Sequence, residues 1–355
     1  MNTQSFYLDV LKKLQGGIHL DLEESELLVQ AIFKRQLTEI QMAALLMGLS
    51  AKGESVNEVV GFVRGMRDYA MKLDHQQERL VDTAGTGGDG SGTFNISTGA
   101  AFVIAGAGVP VAKHGNRAIS GRCGSADVLT RLGVNIAASK EVLEDCLAET
   151  GITFLFAPSF HPAMKIVARV RKELGVRTIF NLLGPLLNPA GARRQIIGVY
   201  SPHLTELLGE ALQQLGSEHA LVFSGEDGLD EISLGSRTKI TEVKDGVLKT
   251  IMLAPESFGF SRHPVREFQG GGVEENAEIL RDLLTLKRRD ARRDIVLLNA
   301  AAGIYVAGVA GSITDGVALA RQSLDSGAAL GKLYALIEHT NRGNVGTEEP
   351  RGLHH

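Results

Sequence analysis

The sequence predicts an α/β protein with a small all-helical N-terminal domain and a larger α/β domain whose central, mostly parallel sheet is flanked by helices. Three observations carry that prediction. Apolar residues recur at helical spacing through the first ~72 residues, with no strand signal among them. From Leu80 onward, short β-branched or aliphatic runs alternate with helical stretches, as in strands joined by crossover helices. After Gly272 the chain returns to helical patterns through Thr340.

In the first region Leu27, Leu28, Ala31 and Ile32 form one apolar stripe. Thr38 with Gln41 and Ser55 with Glu58 fit the capping box, in which two side chains satisfy free N–H groups at a helix start. Ala43, Leu46 and Met47, then Val59, Phe62, Val63 and Met66, continue the apolar period of core-facing helices. Strands are expected in the runs LVDTAG, VPVAKHG, ITFLFAP, RQIIGVY and ALVFSG, and helices over 139–150 and 205–215. Two more strands, Thr238–Lys244 and Val247–Leu253, flank the hairpin signal Asp245-Gly246.

Charge narrows the function. Lys and Arg number 37 against 41 Asp and Glu, a net charge of −4, so the basic field of a nucleic-acid binder or polybasic membrane protein is missing. Cys123 and Cys146 cannot build a disulfide framework, and no Cys/His spacing suggests zinc. The N-terminal residues lack the basic-then-apolar pattern of a secretory signal. The most apolar stretches, 100–112 and 295–311, are broken by Pro110 and Asn299 and fall short of the ~20 residues of a spanning helix. A cytoplasmic protein is expected. The 42 glycines follow no collagen or linker period and so indicate many tight turns and close backbone approaches.

The densest cluster is DTAGTGGDGSGTFNIST, residues 82–98. Gly85, Gly87 and Gly90 match a dinucleotide-binding fingerprint, but the loop runs on past the third glycine and no acidic residue stands ~20 positions later to hold a ribose. Walker A fails too, because no Lys-Ser/Thr follows. What remains is bare backbone leading into Asn95-Ile96-Ser97-Thr98 at a helix start, which suits an anion, or else a turn that merely connects strand to helix.

A second glycine loop follows the next strand: Lys113-His114-Gly115-Asn116-Arg117, then residues 120–125. Cations, an amide and hydroxyls gathered at a strand end favour the phosphate reading, since ligands of open α/β sheets collect there. A third cluster, Asp230-Glu231 in GLDEIS, is a surface acidic pair or a divalent-cation site; Mg²⁺ is held by one or two carboxylates together with substrate phosphates.

Taken together, DTAGTGGDG, TFNIST, VAKHGNRAISG, GSADVLTRLGV, HPAMKIVARVRKELGVRTIFNLLGPLLNPA and GLDEISL resemble the anthranilate phosphoribosyltransferase family, over nearly the whole chain. The resemblance implies transfer of a phosphoribosyl group from phosphoribosyl pyrophosphate to the amine of anthranilate, with two Mg²⁺ ions per site. It implies a homodimer associating through the helical domain, and it leaves open a glutamine amidotransferase partner. By motif, the donor would meet Gly85, Gly88, Asp89, Thr93, Asn95, Ile96, Ser97 and Thr98. On the second loop it would meet Lys113, His114, Gly115, Asn116, Arg117, Ala118, Ile119, Ser120, Gly121 and Ser125. Ser97, Asp230 and Glu231 would carry the metal. Gly85, Asn116 and Arg171 would hold anthranilate, with His161 and Pro185 lining its route. No residue is assigned as a general acid or base, since the lone pair of an aromatic amine is already free.

The domains implied are 1–72, helical and joined by about 168–185; 73–167 with 186–345, the α/β donor domain; and a frayed tail 346–355 whose His354 and His355 look like a vector remnant. Cys123 stands where serine is usual, and Phe260 where leucine is. Two other readings share the architecture: a pyrimidine-nucleoside phosphorylase, and a silent paralogue that binds nucleic acid. The KHGN and DE motifs speak against the first, the net acidity against the second.

Overall fold

A computed structural model describes residues 3–118 and 122–342 of the chain; Ile119, Ser120, Gly121 and the tail 346–355, with His354 and His355, lie outside the described residues. Helices Thr3–Gln15, Leu22–Phe33, Glu39–Lys52 and Val56–Arg67 open the fold. Both expected capping boxes are present, and a third joins Asp21 to Glu24. Glu58 also reaches inward. Fully buried, it accepts from the amide of Leu20 at 2.9 Å and from Lys52 Nζ at 2.6 Å, so the charge is compensated.

One helical expectation is corrected. Met47 is not on the core face: Glu39–Lys52 buries Met42, Leu45, Leu46 and Leu49, which turns Met47 outward at 39% exposure. Ile40, one heptad earlier on the same face, is 83% exposed.

All seven expected strands form one sheet, in the order β3-β2-β1-β4-β5-β6-β7. They are β1 (Val81–Asp82), β2 (Val111–Gly115), β3 (Ile152–Phe156), β4 (Arg194–Gly198), β5 (His219–Gly225), β6 (Thr238–Lys244) and β7 (Val247–Leu253). Pairing is parallel from β3 to β5 and antiparallel for the β6–β7 hairpin at the edge. From β1 the chain winds outward to β2 and β3; β4 then returns to the other side of β1 and winds towards β5. The loops leaving β1 and β4 therefore part in opposite directions. That leaves a crevice at the carboxyl ends of these two strands, the place where open α/β sheets bind ligands.

The sheet separates two apolar cores. One packs helices Ile96–Gly106, Ala291–Val306, Ile313–Asp325 and Ala328–Thr340 against Ile196, Leu221 and Phe223. In the other, Ile197, Val199, Ala220 and Val222 share a cluster with the N-terminal helices and with Val167, Val170, Ile179 and Phe180. The alternation of Ile196 and Ile197 between cores is the two-residue period of a strand covered on both faces.

Candidate active site

Three chain segments meet over the β1/β4 crevice. The first leaves β1 as the glycine loop, in which Gly87 and Gly88 take φ of +65° and +83°, a left-handed path closed to most side chains. Its base is pinned to β4, for the amide of Thr86 donates to the Gly198 carbonyl at 2.9 Å. A Cβ at Gly85 would stand 3.0 Å from that same carbonyl oxygen. The loop ends at helix Ile96–Gly106, whose N-terminal turn, with Ile96, Ser97 and Thr98, lines the crevice.

The second segment follows β2. Lys113 is 4% exposed, and its ammonium donates to the carbonyl and hydroxyl oxygens of Thr83 at 3.0 Å each and to Ser97 Oγ at 3.3 Å. Burial pulls its pKa down, against the opposing pull of Asp82 and Glu231. Beside it the His114 Nδ1–H donates to the Gly184 carbonyl at 3.0 Å; since a carbonyl can only accept, the proton sits on Nδ1. Burial first, and the neighbouring His161 second, lower the His114 pKa to about 3, so the ring is neutral. Asp127 organises the following turn by accepting from the amides of Ala118 and Gly124 at 2.9 and 3.0 Å and from the Arg117 guanidinium at 2.8 Å.

The third segment follows β5. Leu229 and Ile232 are buried on either side of Asp230-Glu231, and Asn299 fixes the turn by accepting from the Ile232 amide at 2.9 Å and donating to its carbonyl at 3.1 Å. The flanking apolar anchors leave the two carboxylates facing the crevice. Glu231 Oε1 accepts from the Ser97 amide at 3.1 Å. Burial, reinforced by Asp89, raises the Asp230 pKa to about 7; burial, reinforced by Asp230, raises that of Glu231 well above the ordinary range. Three carboxylates with Lys113 as the near cation form a site short of positive charge. Among the described residues no trio of His, Cys, Asp and Glu makes a ready metal cage. The donor set fits a hard divalent cation that draws its remaining ligands from a substrate.

These segments enclose a polar cavity of about 1010 Å³. Every expected donor, acceptor and metal residue among the described ones lines it: Gly85 to Asp89, Thr93 to Thr98, Lys113 to Ala118, Ser125, Arg171, Asp230 and Glu231. Ile119, Ser120 and Gly121 lie outside the described residues. A second cavity of about 380 Å³ opens beside it, lined by apolar side chains such as Met66, Ala168 and Phe180 together with His114, Asn116, His161, Arg171 and Pro185. Arg171 lies in both walls, 5.5 Å over the Phe180 ring, with no carboxylate partner among the described residues. His114 and His161, ring centroids 5.2 Å apart, each keep a buried Nε2 without a partner among the described residues.

Sequence reasoning missed four residues here. Thr83 gives Lys113 two of its acceptors, Gly198 carries the crossing between β1 and β4, and Arg177 and Tyr200 close the far wall. Gly198 had a signal, a glycine ending a strand of β-branched residues; Arg177 had none, being one more cation just beyond the charged helix Lys165–Leu174.

A family model described as "Glycosyl transferase family, a/b domain" matches residues 77–330, and one described as "Glycosyl transferase family, helical bundle domain" matches 8–70. An anthranilate phosphoribosyltransferase from Pelotomaculum thermopropionicum is 48% identical over 338 residues, 95% of this chain and 98% of that protein. The crystal structure of the Thermus thermophilus anthranilate phosphoribosyltransferase superposes with a TM-score of 0.89 at 45% identity, covering 94% of this chain and 99% of that one. The Saccharomyces cerevisiae enzyme, solved in complex with PRPP and Mg, superposes at 0.85 with 28% identity over 95% and 98%. With two cavities meeting at a glycine loop and relatives matched from end to end, the chain belongs to the anthranilate phosphoribosyltransferase family.

Proposed function

We propose that the larger cavity receives 5-phosphoribosyl 1-pyrophosphate, the smaller receives anthranilate, and the enzyme joins them as N-(5-phosphoribosyl)anthranilate with release of pyrophosphate. The observation that carries this reading is Arg171, a guanidinium with no carboxylate partner among the described residues, in the wall shared by a small apolar pocket and a large phosphate-type pocket. A guanidinium pairs bidentately with a carboxylate, which orients the anthranilate ring and aims its amine across the shared wall. Asn116 and Gly85, also shared by both cavities, would set the amine near the ribose C1.

On the donor side, the bare backbone of the glycine loop and the positive end of the helix that starts at Ile96 favour phosphate oxygens. Ser97, Asp230 and Glu231 would hold Mg²⁺, and the gathering of Asp89, Asp230 and Glu231 around one cavity supports two ions per site. Bound Mg²⁺ supplies positive charge that favours departure of pyrophosphate. The residues around the reacting atoms position the substrates and stabilise charge, and none needs to abstract a proton before attack. Mixing the protein with anthranilate, phosphoribosyl pyrophosphate and Mg²⁺ should extinguish anthranilate fluorescence; unchanged fluorescence, or phosphate-dependent cleavage of uridine instead, would overturn the reading.

The assembly proposed is a homodimer through the helical domain. Ile40, Met47 and Leu8 support it, being exposed apolar residues on two helices that pack together. Residues 168–185 would move with that domain, a partition supported by their share in its core. A cytoplasmic setting agrees with free Cys123 and Cys146, and no helix among the described residues is long and apolar enough to cross a membrane.

A further inference from the structure

Arg177 stands in the segment HPAMKIVARVRKELGVRTIFNLLGPLLNPA without an assigned role, yet it touches three parts of the fold. Helix Lys165–Leu174, which carries Arg171, ends at Gly175 in the left-handed conformation, and the chain turns back towards the sheet. Within that turn the Arg177 carbonyl accepts from Ser50 Oγ of the N-terminal bundle at 3.0 Å. Its guanidinium lies over Tyr200, 3.7 Å from the ring centroid, and donates to the carbonyl of Gly88 in the glycine loop. The backbone of one residue is thus fixed to the bundle while its side chain is fixed to the loop.

We propose that Arg177 is a positioning residue that holds the glycine loop in its phosphate-receiving shape and ties that loop to the segment bearing Arg171. The inference rests on the larger cavity being the donor pocket. Thr86 pins the near end of the loop to Gly198, and at the far end the Gly270 amide donates to the Gly92 carbonyl. Between these anchors stand Gly87 and Gly88, whose backbones have more freedom to lose than any other residue type. A planar peptide links the Gly88 carbonyl to the Asp89 amide, so fixing one fixes the other. The Asp89 side chain lines the same cavity as Asp230 and Glu231. The order imposed by Arg177 therefore reaches the carboxylates on the opposite wall. Tyr200 makes the grip stiff: a planar guanidinium stacked on a ring keeps its fork aimed, which an ammonium on a flexible stem does not.

The test is hydrogen–deuterium exchange of the full-length enzyme, read on a peptide spanning residues 84–94, beside steady-state kinetics. In ligand-free Arg177→Ala the loop amides should exchange several-fold faster, with helix Ala291–Val306 unchanged. The KM for phosphoribosyl pyrophosphate should rise about tenfold while kcat falls less, and Arg177→Lys should restore only part of the loss. If Arg177→Ala does not fold, Tyr200→Ala keeps the charge and removes the stacking surface, and should shift both readouts the same way. Unchanged loop exchange overturns the proposal, and a raised donor KM without faster exchange overturns it in favour of direct contact with the donor. In the wild type, donor plus Mg²⁺ should protect the 84–94 peptide; no protection there would defeat the donor-pocket assignment itself, independently of the grip of Arg177.

Discussion

The amide of Ser97 donates to Oε1 of Glu231 at 3.1 Å, joining residues 134 positions apart in the chain. A carboxylate at a helix N-terminus is well placed against the dipole, and this one fixes the third segment to the first. It also brings the Ser97 hydroxyl, Lys113 and the Asp230-Glu231 pair to one point.

That convergence governs the metal. Asp230→Asn combined with Glu231→Gln should raise the Mg²⁺ concentration needed for half-maximal rate and lower turnover by ~10²–10³. The check is a Mg²⁺ titration of the anthranilate fluorescence assay. Full activity at low Mg²⁺ would falsify the assignment of these carboxylates.

Arg171 divides the two substrates. Replacing it with alanine removes a charged hydrogen-bonding partner from a largely apolar pocket, a loss of about 1.5–3 kcal/mol. The KM for anthranilate should rise about 10- to 100-fold, with the donor KM little changed. Equal increases in both would place Arg171 elsewhere in the mechanism.

His114 makes stability depend on pH. Its folded pKa of about 3 lies below the ordinary value of 6.5, so below pH 6.5 the unfolded chain binds a proton that the folded protein refuses. Stability from this group is present above about pH 6.5 and is lost as pH falls towards 3, with a slope of up to about 1.4 kcal/mol per pH unit. Denaturant melts of wild type and His114→Gln at several acidic pH values test this. The substituted protein should show the flatter slope, and parallel slopes would mean the ring is protonated in the fold.

Ile40 tests the assembly. At 83% exposure it contributes nothing to the monomer core, so Ile40→Glu should leave the melting temperature of the monomer fold almost unaltered. In a dimer interface the same change buries a charge, and sedimentation should show half the wild-type mass. A wild type that already sediments as a monomer refutes the proposed dimer.

The first five strands were legible as short aliphatic or β-branched runs and the last two from the Asp245-Gly246 turn between them, and the helix starts because Thr38–Gln41 and Ser55–Glu58 spell out their caps. The site was legible where chemistry is local in sequence, as in the glycine loop and the Asp230-Glu231 pair. Met47 was misread because apolar spacing marks a face without saying whether the core or another chain covers it. Arg177 and Thr83 stayed hidden for a different reason. Their roles depend on which strands lie side by side: Thr83 meets Lys113 because β1 pairs with β2, and Tyr200, beyond β4, holds Arg177 against the loop leaving β1 because β4 pairs with β1.

Gly198 shows how little slack that winding leaves. Any Cβ there would overlap the Asp230 carbonyl, while the carbonyl of Gly198 itself holds Thr86. The smallest possible addition, one methyl group, would push the acidic turn and the glycine loop apart at once. Redesign for bulkier aromatic amines therefore has freedom along the Met66 and Ala168 wall, whereas the strand crossing tolerates no trimming or padding.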